Sequence, residues 1–174
     1  PYFPSVVQTL STVFSTPGNM QSVVAALRLL YIAIPSEVEY PEEINQFIQI
    51  IPQVIPQLDS DLLATMLLNL AVFITRRPQI IAQVAEGVIE QCLAIAADIE
   101  KGYGSRMNAI EVILCIAKFV LGKEQVGLLG EITKVFVSIV SDESDIACSH
   151  TGNEETVGSV ANNCLADLGK LKKM

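Results

Sequence analysis

The sequence predicts an all-α chain, an α-solenoid of about four helical hairpins, and three observations carry that expectation. Four short blocks share one pattern: Leu29-Leu30-Tyr31-Ile32-Ala33, Leu67-Leu68-Asn69-Leu70-Ala71, Ile113-Leu114-Cys115-Ile116-Ala117 and Leu165-Ala166-Asp167-Leu168-Gly169. Their middle residues lie 38, 46 and 52 positions apart, the repeat length of stacked helical pairs. Around each middle residue a large apolar side chain stands two before and one after, with Ala or Gly two after. Second, no stretch alternates with period two for long enough to make a sheet. Third, a chain of 174 residues that is 51% hydrophobic can bury a substantial core as one domain over 1–174.

Turn chemistry divides the chain into helical segments. Ser5–Ser15 forms a first amphipathic helix, closed by Thr16-Pro17-Gly18. Asn19 caps a second, which reaches Ile34 before Pro35 stops it. Pro41-Glu42-Glu43 places Pro and acids in a first turn, as helix starts prefer. That third helix runs to Leu58, and is expected to kink or restart at Pro52 and Pro56, which lack an N–H donor. Asp59 or Ser60 caps the fourth, which reaches Arg77. The fifth spans Gln79–Glu100 and ends at Gly102-Tyr103-Gly104. Ser105 opens the sixth, to Leu121-Gly122, and the seventh occupies Gln125–Val140. A polar loop without periodicity, Ser141–Glu154, precedes the eighth, Glu155–Lys172.

These segments pair as hairpins. Their first helices present Val7/Leu10, Ile48/Ile55, Val84/Val88 and Ile132/Phe136 as apolar faces, and their second helices carry the repeated block. A hairpin of this kind cannot cover its own apolar face, so the next one stacks on it. The small residues Ala33, Ala71, Ala117 and Gly169 are expected where backbones approach closely. The first helix, with Val6, Val7, Leu10, Val13 and Phe14 and no charge before Arg28, is a poor terminal cap. The chain therefore reads as a fragment of a longer repeat protein that continues N-terminally, and in isolation the Val6/Leu10 face is expected to be exposed or to self-associate.

Formal net charge is −8, from 19 acidic and 11 basic residues. A nucleic-acid binder needs a cationic stripe, and the only dense basic cluster is Lys170, Lys172 and Lys173, where a helix dipole accounts for it. The acidic excess suits a basic protein or peptide partner, or solubility alone. No apolar run reaches the roughly 20 residues of a membrane span. Cys92, Cys115, Cys148 and Cys164 show no CxxC pairing and read as reduced thiols of a cytoplasmic or nuclear protein.

Ile51-Pro52-Gln53-Val54-Ile55-Pro56-Gln57-Leu58, followed by Leu63-Ala64-Thr65-Met66-Leu67-Leu68-Asn69-Leu70-Ala71, resembles the second and third helices of an armadillo repeat. Ala64, Leu67, Asn69, Leu70 and Ala71 match that consensus position for position. The chain as a whole is similar to the armadillo/HEAT superfamily of right-handed α-solenoids, which includes importin-type nuclear transport receptors and many scaffolds. The resemblance implies that Asn69 faces a groove and bonds the backbone of an extended peptide. The consensus Trp is replaced by Leu27, Thr65, Glu111 and Asn163, and the Asn by Tyr31, Cys115 and Asp167 in the other repeats. The resemblance thus points to a HEAT-like or divergent armadillo scaffold, cargo receptors of the importin-β and exportin type included.

Helical periodicity describes the same surface independently. Counting from the middle residue of each block, positions −2 and +1 are always apolar and are assigned to the core. Positions −4, 0 and +3 or +4 fall on one stripe: Leu27/Tyr31, Thr65/Asn69, Glu111/Cys115/Lys118 and Asn163/Asp167/Lys170. This stripe is either an ordinary solvated face or a partner-binding ridge carrying Tyr31, Thr65, Asn69, Glu111, Asn163 and Asp167.

Catalysis has little to stand on. The one histidine, His150, lies in the loop beside Cys148, half a zinc site at most. Glu42-Glu43, Asp142-Glu143 and Glu154-Glu155 sit beside helix ends or in loops and suit capping and dipole duty. Arg76-Arg77 suit a helix C-terminus, or could grip an acidic partner. No phosphate loop, dinucleotide fingerprint or metal-binding helix motif occurs. The expectation is a non-enzymatic chain without cofactor that binds another protein along its second helices. The alternative is a structural spacer within a larger solenoid.

Overall fold

Proline and capping chemistry set the junction between the third and fourth helices in the computed structural model, which describes residues 3–15, 20–33, 42–121, 125–143, 146–148 and 154–171. Helix α1 is Phe3–Ser15, α2 Met20–Ala33 and α3 Glu42–Val54. Pro52 stays inside α3, and at Pro56 the chain tightens into a 3₁₀ turn, Ile55–Gln57. Asp59 caps α4, Ser60–Arg76, by accepting from Leu62 N–H at 2.9 Å. The expected fifth helix is two: α5, Pro78–Ile81, and α6, Ala85–Ala97. The burial period Ile81, Val84, Ala85, Val88, Ile89, Cys92 runs unbroken through the turn between them, so the apolar pattern could not reveal it. Helix α7 is Tyr103–Phe119, α8 Val126–Ile139 and α9 Val157–Leu171. Within the expected polar loop, strands β1, Ile146–Cys148, and β2, Glu154–Thr156, pair antiparallel with Ile146 opposite Thr156. Apart from this ribbon the elements among the described residues are all helical.

The helices pack in two rows. In one, α2 lies against α4, α4 against α7 and α7 against α9; in the other, α1 meets α3, α3 meets α6 and α6 meets α8. The rows touch at α1/α2, α6/α7 and α8/α9. One apolar core runs between them, from Leu10 through Ile48, Ile55, Leu67, Leu70, Val88, Ile113 and Ile132 to Leu168. Leu10 is itself buried, contrary to the expectation of an exposed Val6/Leu10 face; the side chains of Val6, Val7 and Phe14 lie outside the described residues.

Of the small residues, Ala71 and Ala117 are buried, the Ala33 side chain lies outside the described residues, and Gly169 makes no close approach, since a Cβ there would meet nothing within 4 Å. The close approach is at Gly158 instead. A Cβ there would lie 2.3 Å from the Val140 carbonyl oxygen, so the start of α9 can press on the end of α8 only without a side chain.

Candidate functional site

The outward face of the row α2–α4–α7–α9 is where the sequence places a ridge, and its members have different fates. On α4, Leu67 and Leu70 are fully buried and Thr65 is exposed, as expected. Asn69 is only 6% exposed, and its Nδ2 donates to the Val24 carbonyl of α2 at 3.3 Å. On α7, Glu111 and Lys118 are exposed and Cys115 is buried; on α9, Asn163 and Lys170 are exposed and Asp167 half-buried. The Tyr31 side chain lies outside the described residues.

Helix α2 departs from the assigned phase. Leu27, placed on the outward stripe by the block alignment, is completely buried, whereas Leu29 and Ile32, assigned to the core, are 48% and 61% exposed. Leu27 and Leu30 hold the buried places that Leu67 and Leu70 hold on α4, which puts Leu29 where α4 has Asn69. The physical reason is that α2 is apolar nearly all round, so a pattern of apolar positions cannot fix its rotation. Arg28 is the informative residue: with Ala25, Leu29 and Ile32 it makes one exposed stripe at i, i+3, i+4 and i+7.

The second helices are tied to one another by side chains reaching backbone carbonyls. Besides Asn69 on Val24, Asn108 Nδ2 donates to the Ala64 carbonyl at 2.8 Å and Ser105 Oγ to the Ser60 carbonyl at 3.3 Å. The three ties span 45, 44 and 45 residues. Ser105, expected to open a helix, is buried in the first turn of α7, two residues after its start at Tyr103, and makes this tie.

At the α7–α9 end the polar groups pair internally. Lys118 Nζ lies 3.1 Å and Lys170 Nζ 2.8 Å from the two oxygens of Asp167. Hydrogen bonds from Lys170 and then Lys118 hold the Asp167 carboxyl below its ordinary range. Cys115 Sγ donates to Glu111 Oε1 at 3.6 Å. Burial first, then the negative Glu111, pushes the Cys115 thiol up to about 12 and the Cys164 thiol up to about 11. Burial alone raises the Cys92 thiol far above the usual range. All three are free and buried, a state unsuited to nucleophilic chemistry.

The α2–α4 end is built differently. Between these helices lies an open groove of about 830 Å³, lined by Arg28, Leu29, Ile32, Leu68 and Val72 with Thr65 and Asn69 on its α4 side. Leu68 is 53% exposed, so three large apolar side chains from two helices face outward together. Arg28 is the only charged residue of the lining and has no ion-pair or hydrogen-bond partner among the described residues.

Arg106 and Asp142 are a pair that the sequence reading passed over. Arg106 is completely buried; its Nε donates to the Ala96 carbonyl at 3.0 Å, in the last turn of α6, and its guanidinium is ion-paired with Asp142 just beyond α8. Asp142 in turn accepts from Gly158 N–H through its carbonyl at 3.1 Å. One arginine thus joins α6, α7, the end of α8 and the start of α9. Asp142 is therefore not simply a dipole or capping residue. Two signals were present: Arg106 falls on the core face of α7, three, four and seven residues before Ala109, Ile110 and Ile113, and an acid follows a helix C-terminus, where the dipole disfavours it.

Elsewhere, a second open cavity of about 500 Å³ lies beside α3 and α5, lined by amides including Gln49 and Gln83, which bond to each other at 2.6 Å. Arg77 is buried at the C-cap of α4 with its N–H on the Phe73 carbonyl, which answers the helix-end reading of Arg76-Arg77. His150 lies outside the described residues, as does the Cys148 side chain. Among the described residues no three His, Cys, Asp or Glu side chains gather into a metal site, and no helix is long and apolar enough to cross a membrane. In comparisons with protein-family models, curated proteins and solved structures, the chain matches none.

Proposed function

We propose that this chain is a protein-binding α-solenoid segment of armadillo/HEAT type, without enzymatic activity, that docks a partner protein on the outward face of α2 and α4. The observation that carries the reading is the cluster of exposed Leu29, Ile32 and Leu68 around one groove, since contiguous exposed apolar surface on a folded protein marks interaction sites. The two-row packing and the ties 44 and 45 residues long support stacked helical pairs, with hairpin contacts at α1/α2, α6/α7 and α8/α9. Free buried thiols support a reducing compartment, cytoplasm or nucleus. A place in a nuclear transport receptor rests on the sequence resemblance alone.

Of the ridge residues, Thr65 borders this groove, while Glu111, Asn163 and Asp167 belong to the α7–α9 end, whose ion pairs favour a spacer role there. Affinity capture from cell extract with quantitative mass spectrometry tests the proposal. A partner held by the wild-type chain and by Asn163→Ala, but lost from Leu29→Asp/Leu68→Asp at unchanged circular dichroism, is the expected result. Equal capture by all three chains overturns it.

A further inference from the structure

We infer that the α2–α4 groove receives a short amphipathic α-helix from its partner, seated by apolar side chains and fixed in register by a carboxylate on Arg28; the inference rests on the docking role proposed for this face. Length comes first. The lining runs from Gln21 to Ile32 on α2 and from Leu62 to Val72 on α4, each about 15 Å or three helical turns. A trough between two neighbouring helices accepts a third by the same ridge-into-groove packing that joins the first two. Its walls offer Leu29 and Ile32 on one side and Leu68 and Val72 on the other, at the i, i+3 and i, i+4 spacings that meet a helical ridge.

Backbone chemistry separates a helix from an extended peptide. An extended segment arrives with open N–H and C=O groups that the groove must satisfy. Here Asn69 is buried and donates to Val24, and Thr65 Oγ1 donates to the Asp61 carbonyl at 3.0 Å. The remaining wall between Ala25 and Ile32 is aliphatic apart from Arg28. A helix brings its backbone already hydrogen-bonded and asks only for apolar contact. This is the opposite of the backbone-bonding role that the armadillo resemblance implies for Asn69.

Charge then specifies the ligand further. In a chain of net charge −8, the groove's sole charged residue is a cation without a partner among the described residues. Arg28 directly precedes Leu29 and stands one turn before Ile32, so a carboxylate on the flank of the docked helix reaches it while the apolar face sits between the leucines. The acidic remainder of the molecule repels a generally acidic partner, which limits the match to one or two carboxylates beside an apolar face.

The test is a phage-displayed library of peptides of about fourteen residues, four helical turns, randomised at every position and selected on the full chain. The expected winners carry apolar residues at helical spacing with an adjacent Asp or Glu, and become helical on binding by circular dichroism. Binding should fall roughly tenfold or more on Leu68→Asp or Ile32→Asp. It should fall about fivefold on Arg28→Glu, and recover when the peptide's acid is exchanged for Lys. Winners that need Leu68 but tolerate a central proline, or show no acidic preference, overturn the helix inference and leave the docking face standing. Winners indifferent to both Leu68→Asp and Ile32→Asp, or no winners above the Leu68→Asp background, overturn both. A wild-type dimer in sedimentation equilibrium that Leu68→Asp dissociates shows the occupant to be a second copy and overturns the inference as well.

Discussion

Between α7 and α9 the outward side chains answer one another, Lys118 and Lys170 both on Asp167 and Cys115 on Glu111; between α2 and α4 the outward side chains are Leu29, Ile32 and Leu68 around Arg28, which has no partner among the described residues. Both seams belong to the same row of helices and both bury an apolar inner face. The difference lies in what their outer faces leave undone. At one end charge is neutralised within the molecule, and beside it Phe119 is a single large apolar side chain left exposed on α7. At the other, apolar surface and a cation remain for something else to cover. Similar blocks of sequence therefore do not build equivalent surfaces.

Six substitutions, in four experiments, sharpen or break this contrast. The largest effect is expected at the buried arginine that closes the self-sufficient end. Arg106→Ala leaves Asp142 without its cation and Ala96 O without a donor, and should cost about 3–5 kcal/mol in urea titration. A cost below about 1 kcal/mol would mean that α6, α8 and α9 are held together without it.

At the apolar end the prediction is an internal contrast on one helix. Leu70, fully buried, should lose about 2–5 kcal/mol on truncation to Ala. Leu68, two residues earlier and half exposed, should lose at most ~0.5 kcal/mol. Equal losses would show that Leu68 supports the fold and is not surface held for a partner.

Two glycines of α9 give a smaller contrast. Gly158→Ala pushes a methyl group into the Val140 carbonyl and should destabilise by about 1–3 kcal/mol. Gly169→Ala meets open space and should be neutral or stabilising by up to ~1 kcal/mol, both read from thermal melts. Reversal of that order would place the tight contact of the terminal hairpin elsewhere.

The smallest effect concerns pH. Lys170 and Lys118 stabilise the ionised form of Asp167, so its contribution is present above the unfolded carboxylate pKa of about 3.9 and is lost as pH falls through the lower folded value. The stability difference between wild type and Asp167→Asn should be level from about pH 5 to 8, close below about pH 4, and shrink with added salt. A difference that grows on acidification would contradict the pairing.

Much of the fold was legible because its signals are local. Asp59 before an apolar run announces an N-cap, and Leu67 and Leu70 lie at core spacing on a helix whose Thr65 marks the outside. What was hidden has physical causes. On α2 the surplus of apolar residues erases the phase, and the exposed pair Leu29 and Ile32 reads as core. The turn at Ala82–Val84 interrupts hydrogen bonding while leaving the apolar period intact. The β1–β2 ribbon is three residues a side, too short to alternate visibly. Arg106 was readable from its register, but its meaning depends on Asp142, 36 residues away, and only the packing brings the two together. The candidate site was half legible: Thr65 and Asn69 lie on the groove, but Leu29 and Ile32, which form its α2 wall, had been assigned to the interior, and Arg28 and Leu68 had been given no place.

The most direct test of the account is amide hydrogen exchange on the full chain, alone and saturated with a partner captured through the proposed face. The account predicts that protection gained on binding concentrates in residues 21–32 of α2 and 62–72 of α4, with 108–118 of α7 and 163–170 of α9 unchanged. Protection confined to α7 and α9, with α2 and α4 unaltered, would contradict it.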